Sequence, residues 1–237
     1  MPKITLGSPN SIRPDDFVQA MQPVAELTGT GCPRPLGECV RQARVMGFPT
    51  LHTDTILAGG HDLDPDRQAA WSALTGAVKR RGLVILHGRR GGGKTHMATM
   101  LGVQWRRYGF AGRYGAERYW RINDLLDAQK AWYGRKVDAN GNAIAEPHWV
   151  ARDCGLLVLD EVNEIRRDRE ADHDAVVRIV DARYGECRPT VLITNLAPAD
   201  MPGVLGGSIL DRVKDRGALI ECNWNNYRDE IRKGGAA

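Results

Sequence analysis

Long apolar runs are missing from this 237-residue chain. None approaches the roughly 18 residues needed to span a bilayer, and the opening MPKITLGSPNSIRP lacks the charged-then-apolar layout of a secretion signal. The expectation is a cytoplasmic protein with no membrane partner. Cysteine is scarce: Cys32, Cys39, Cys154, Cys187 and Cys222 are odd in number, scattered and without a CxxC pair, which argues for reduced thiols rather than a disulfide framework. Cys32 and Cys39, followed by His52 and His61, match no common zinc spacing and read as free thiols and imidazoles. Internal repeats and low-complexity tracts are absent, and neither sign of charge dominates. With 33 basic against 29 acidic residues the net charge is +4, a mild bias that allows a polyanionic partner without requiring one. Hydrophobic residues make up 42% of the chain, enough for an ordinary globular core.

What is present is a complete GxxxxGK[ST] loop, Gly88-Arg-Arg-Gly-Gly-Gly-Lys94-Thr95, directly after the apolar run Leu83-Val-Ile-Leu86. Backbone N–H groups from Gly88, Gly91, Gly92 and Gly93, and from His96 beyond them, are expected to wrap phosphate oxygens. Lys94 reaches the β- and γ-phosphates, and Thr95 supplies a hydroxyl to Mg²⁺. Glycines suit such a loop because β-carbons would hold the backbone away from the anion, and the helix that starts near Gly93 points its positive end at the same charge. A nucleoside triphosphate with Mg²⁺ is therefore the expected ligand. Leu156-Leu-Val-Leu159 leads to Asp160 and Glu161, placing two acids at a strand's C-terminal end, where open α/β sheets put their ligands. Asp160 is expected to hold the metal, and Glu161 to orient or deprotonate the attacking water. A second apolar run ends in Thr194-Asn195, and the Asn195 amide is placed to contact the γ-phosphate or that water. Arg212 and Arg228 lie near the end of the sequence, after the run that ends in Asn195, as candidates for a bidentate grip on phosphate or as solvated surface charges.

Strand signals at 83–87, 118–122, 155–160, 190–194 and 218–222 alternate with helical ones at 93–108, 123–132 and 172–184. That alternation predicts a parallel sheet with helices on both faces. Asp64-Pro65 reads as the N-cap and first residue of a helix running to about 79. Residues 1–60, rich in Pro, Gly and Thr, read as a small helical appendage and linker with helices over 14–27 and 35–46, leaving 61–237 as the nucleotide-binding domain.

Taken together, Gly93-Lys-Thr-His-Met-Ala98, Trp120-Arg-Ile-Asn-Asp-Leu-Leu126, Leu157-Val-Leu-Asp-Glu161, Asp181-Ala-Arg-Tyr184, Arg188-Pro-Thr-Val-Leu-Ile-Thr-Asn195 and Asn223-Trp-Asn-Asn-Tyr-Arg228 resemble the DnaC/IstB family of AAA+ ATPases. The resemblance covers about 64–232, and the Asn-Trp…Tyr-Arg ending points to its replicative-helicase loaders. It implies that 61–237 is an ATPase domain, a P-loop AAA+ core with a five-stranded parallel sheet, and it implies ATP hydrolysis between subunits of a homo-oligomer, single-stranded DNA held along the assembly, and a DnaB-type helicase gripped by the N-terminal part. By the same resemblance Asn195 is the first sensor, Arg228 the second sensor in cis, and Arg212 the finger that reaches a neighbour's nucleotide. Arg89-Arg90 replace the family's usual Pro-rich pair, and Ser208 stands where some loaders carry another arginine. A transposase-helper ATPase of the same family is the alternative function. A small-molecule phosphotransferase, which would need an acceptor pocket and no paired acids with a sensor amide, is a more distant one.

Between 103 and 136 eight basic residues face three acids, a local balance of +5, with Tyr108, Tyr114, Tyr119, Trp120, Trp132 and Tyr133 interleaved. Such a mixture tracks a phosphate backbone and stacks bases, so single-stranded DNA is expected on this stretch.

Overall fold

The computed structural model describes residues 34–60, 63–108, 110, 115–165 and 170–224. The expected helix over 14–27, together with Cys32, His61 and Arg228, lies outside them. In the order of the chain come α1 (Leu36–Val45), α2 (Thr50–Leu57), α3 (Pro65–Lys79), β1 (Leu83–His87), α4 (Lys94–Arg107) and β2 (Glu117–Arg121). Then follow α5 (Ile122–Gly134), α6 (Pro147–Asp153), β3 (Leu156–Asp160), a 3-10 turn at Val162–Glu164, α7 (Glu170–Gly185), β4 (Thr190–Ile193), α8 (Met201–Leu205), α9 (Gly207–Arg216) and β5 (Ala218–Glu221).

All five expected strands form, and they make one parallel sheet in the order β2-β3-β4-β1-β5. Because side chains alternate across a strand, one face of the sheet carries Val84, Leu86, Leu156, Val158, Val191 and Ile193 against α1 to α4. The other carries Leu83, Ile85, Leu157, Leu159 and Leu192 against α5 to α9. Burial on both faces is why these strands read as continuous apolar runs rather than alternating ones.

Local chemistry sets the helix boundaries. The Asp64 carboxylate accepts the backbone N–H of Arg67 at 2.9 Å, with Pro65 at the first helical position of α3. Gly93, at φ 71°, takes the left-handed turn from which α4 begins.

Residues 36–57 do not hang off the sheet as a tether. Cys39, Val40, Ala43, Phe48 and Ile56 belong to the same apolar cluster as the strands. The stretch around 51–57, expected as linker, is helix α2. Between α1 and α2 the chain runs along the outer edge of β2, where Tyr119 N–H donates to the Met46 carbonyl at 3.0 Å. Gly47 passes so close there, at φ 97°, that a β-carbon would sit 2.4 Å from the Tyr119 oxygen. This contact covers part of a sheet edge that would otherwise offer unpaired backbone groups. Phe48 inserts over α4 at Gly102, the one helix position whose lack of a side chain leaves room for its ring.

Candidate nucleotide site

β1, β3 and β4 all end at the same rim of the sheet, bringing the phosphate loop, Asp160-Glu161 and Asn195 together as the strand order requires. The loop has left-handed or otherwise positive φ at Gly88, Gly91 and Gly93. The immediate obstacle to side chains in it comes from inside the protein. The Cys222 carbonyl oxygen lies 2.6 Å from where a β-carbon would stand at Gly88 and equally 2.6 Å from one at Gly92. The exit of β5 thus presses on the loop from behind, and Cys222 N–H donates to the His87 carbonyl at 2.7 Å to hold it there.

Lys94 is buried, and its ammonium donates to the carbonyls of Gly88 and Arg89 at 2.8 and 2.7 Å. Burial, with Arg90 nearby, pulls its pKa below the ordinary lysine range, against the opposing pull of the Asp160 carboxylate. Burial beside the loop pushes the Cys222 thiol up to about 12, so it stays protonated. Thr95 Oγ1 donates to Asp160 Oδ2 at 2.8 Å. The same oxygen accepts the Tyr119 hydroxyl at 2.7 Å, while Asp160 Oδ1 accepts the Glu161 N–H at 2.7 Å. A hydroxyl and a buried carboxylate in contact form the hard-oxygen pair that suits Mg²⁺, so the residues present fit that ion.

Glu161 adopts a left-handed conformation, φ 59° and ψ 34°, uncommon for a residue with a side chain and typical of strained functional positions. Its carboxylate lies 3.8 Å from the Arg121 guanidinium. Partial burial, helped by Glu164, Asp160 and Asp124, raises its pKa despite Arg121. At the end of β4, Asn195 is exposed, and its N–H donates to Asn163 Oδ1 at 3.2 Å.

His96 turns its side chain away from the loop toward the Gly60 carbonyl, 2.9 Å from Nε2, and meets the His52 ring edge-on. Arg212, on α9, is held within its own chain. One nitrogen donates to the Ser208 carbonyl at 2.8 Å and to the Ser208 hydroxyl, another pairs with Asp181 at 2.9 Å, and the guanidinium stacks on the Tyr184 ring. Arg183, the arginine of the Asp181-Ala-Arg-Tyr184 motif, is fully buried. It donates to the carbonyls of Ala151, Arg152 and Cys154 at the end of α6, and to the Pro189 carbonyl and Thr190 hydroxyl at the start of β4, which makes it a structural tie.

The basic stretch is narrower than its composition suggests. Arg106 is buried in a two-bond pair with Glu117, at 2.6 and 3.1 Å, and Trp105 is buried against Phe110. Tyr119 faces inward to Asp160. Among the described residues Arg121, Lys130, Arg135, Lys136 and Tyr133 are exposed and Arg107, Arg118 and Trp132 half-buried, while Arg113 and Tyr114 lie outside them. Lys136 lies 4.9 Å over the Trp132 ring, and a turn capped by Asp138 joins Val137 to Ala143. Tyr119 escaped sequence reasoning because a tyrosine among arginines reads as surface. Strand alternation, which puts 117 and 119 on one buried face, was the available signal.

The strand order, the phosphate loop and the paired acids at the end of β3 define a P-loop ATP-binding protein of the AAA+ type. The IstB-like ATP binding protein family matches residues 61–234, and the chain belongs to that family. The replicative helicase loader DnaC of Escherichia coli K12 is 24% identical over 148 residues, which is 62% of this chain and 56% of that protein. A protein of insertion sequence IS232 from Bacillus thuringiensis subsp. berliner, named for ATP binding, is 28% identical over 151 residues, 61% of this chain and 55% of it. The chain thus spans about half the length of these curated relatives. Among solved structures, the DnaC helicase loader superposes with a TM-score of 0.52 at 18% identity, over 68% of this chain and 92% of that one. The replication initiator DnaA bound to AMPPCP and single-stranded DNA gives 0.56 at 20%, over 73% and 51%. Among the described residues no helix is long and apolar enough to cross a membrane.

Proposed function

We propose that this chain is an ATPase that loads a DnaB-type replicative helicase, assembling with further copies of itself on single-stranded DNA and on the helicase. The observation that carries the ATPase reading is the chain of contacts Thr95–Asp160–Tyr119 beside the strained Glu161, on the rim where the phosphate loop opens. Thr95 and Asp160 would hold Mg²⁺, which when bound neutralises phosphate charge. The Tyr119 hydroxyl fixes one oxygen of Asp160. Glu161, its basicity raised by burial, takes the proton of the attacking water, and the Asn195 amide orients that water or the γ-phosphate. Arg212 of a neighbouring copy and Arg228 in cis are the arginines assigned to developing charge. The N-terminal part, 1–60, is the assigned helicase contact and 61–237 the ATPase domain, with residues 36–57 packed on its core. Similarity to DnaC supports the loader role. The match to the IstB-like family and the IS232 relative favours the second reading, a transposase-helper ATPase.

Nucleotide binding and hydrolysis should separate. Lys94 meets charge already present in the ground state, so Lys94→Ala weakens ATP binding, whereas Glu161→Gln keeps binding and slows turnover about 10²- to 10⁴-fold. Normal hydrolysis by Glu161→Gln would refute the catalytic assignment. Copurification with a tagged helicase or a tagged transposase decides between the two partners.

A further inference from the structure

Trp224, three residues beyond β5, stands against the phosphate loop, with its indole Nε1 3.8 Å from the position of a β-carbon at Gly93. That Nε1 is buried and finds no hydrogen-bond partner among the described residues. Buried donors in native proteins are almost always met, so an unmet one facing a binding loop points to a ligand acceptor. The sheet order says which part of the ligand. Asp160, Glu161 and Asn195 end β3 and β4 on one side of β1, whereas β5 lies on the other. Terminal phosphate chemistry belongs beside the acids, so a nucleoside triphosphate crossing the loop carries its nucleoside toward β5 and Trp224. The site has a backing as well: the Arg67 guanidinium lies 6.0 Å over the Trp224 ring and is itself tied to Asp64 at 3.1 Å, at the N-terminus of α3. From these contacts we infer that Trp224 is a nucleoside-binding residue, its Nε1–H donating to an oxygen or nitrogen acceptor of the ribose or base. Arg67 and the start of α3 hold the ring in place for that contact. The inference rests on the reading of 88–95 as the nucleotide's phosphate site.

Titration calorimetry with ADP and with inorganic tripolyphosphate separates the two claims. Trp224→Phe keeps an aromatic ring and removes the donor. It should weaken ADP about 5- to 30-fold, the range for one hydrogen bond lost from a buried site, and leave tripolyphosphate unchanged. In ¹⁵N-labelled wild type the Trp224 indole N–H resonance, assigned from whichever of Trp224→Phe and Trp224→Tyr folds, should move downfield with ADP and stay in place with tripolyphosphate. Unchanged ADP affinity in a folded variant, an equal loss for both ligands, or an indole resonance insensitive to ADP overturns the Trp224 assignment while the phosphate site stands. Failure of both ligands to bind wild-type protein removes the phosphate-site reading and this inference with it.

Discussion

Phe48 and Gly102 make the sharpest test of how the N-terminal helices belong to the core. Phe48 is 2% exposed, and deleting a buried phenylalanine ring costs about 3–5 kcal/mol. A methyl group at Gly102 would stand 2.3, 2.6 and 2.9 Å from three carbons of that ring. Gly102→Ala in the intact protein should therefore cost about 1–3 kcal/mol of overpacking, in spite of the helix propensity it gains. In a Phe48→Ala background the ring is gone. The same Gly102→Ala change should then be neutral or stabilising by up to about 1 kcal/mol, because propensity and filled space are all that remain. The expected coupling between the two sites is about 2–3 kcal/mol, read from urea unfolding followed by far-ultraviolet circular dichroism. With a slope of about 3 kcal/mol/M, Phe48→Ala alone moves the midpoint down by roughly 1–1.7 M. Additive effects, within about 0.5 kcal/mol, would mean that Phe48 does not sit on Gly102 in solution. A fragment starting at Asp64 loses Cys39, Val40, Ala43, Phe48 and Ile56 from the same cluster, so it should unfold at still lower urea than Phe48→Ala.

Three further outcomes are expected. Single-stranded DNA affinity should fall with log salt at a slope near −3, as about four surface cations (Arg121, Lys130, Arg135 and Lys136) contribute about −0.7 each; a flat response would remove this face from the DNA path. Burial lowers the pKa of His87 and of His148 below the ordinary imidazole value, so the unfolded chain binds more protons as pH falls. Stability present above about pH 6.5 should then be lost below it, and His148→Gln should flatten a plot of urea midpoint against pH. Mixing Glu161→Gln with Arg212→Ala should restore part of the ATPase activity, because one interface then joins an intact Arg212 to an intact Glu161. No rescue, with activity independent of protein concentration, would leave Arg212 as the partner of Asp181 and Ser208 alone.

The sheet, its helices and the phosphate loop were legible in the sequence because each rests on local signals: apolar strand runs, the Asp64-Pro65 cap, and glycines before Lys94. Helices α2, α6, α8 and α9 were not, since segments of five to ten residues carry too little periodicity to stand out. Charge counting over 103–136 overestimated the basic face because composition is blind to direction. It could not show Arg106 turned inward to Glu117, or Tyr119 spending its hydroxyl on Asp160. The contacts of Trp224 with Gly93 and of Cys222 with Gly88 join segments about 130 residues apart in sequence, a distance at which spacing carries no information.

That last contact bears on how such loops drift over evolutionary time. The atom that crowds Gly88 and Gly92 is the backbone oxygen of Cys222, so no replacement of the side chain at 222 relieves it, and the parallel register of β1 with β5 keeps it in place. A descendant copy that had abandoned nucleotides would still be selected to keep both glycines, simply to stay folded. Lys94 and Thr95, which that packing does not require, would be free to decay. In related chains, therefore, retention of the two glycines reports an intact sheet, and the pair that follows them reports whether the chemistry survives.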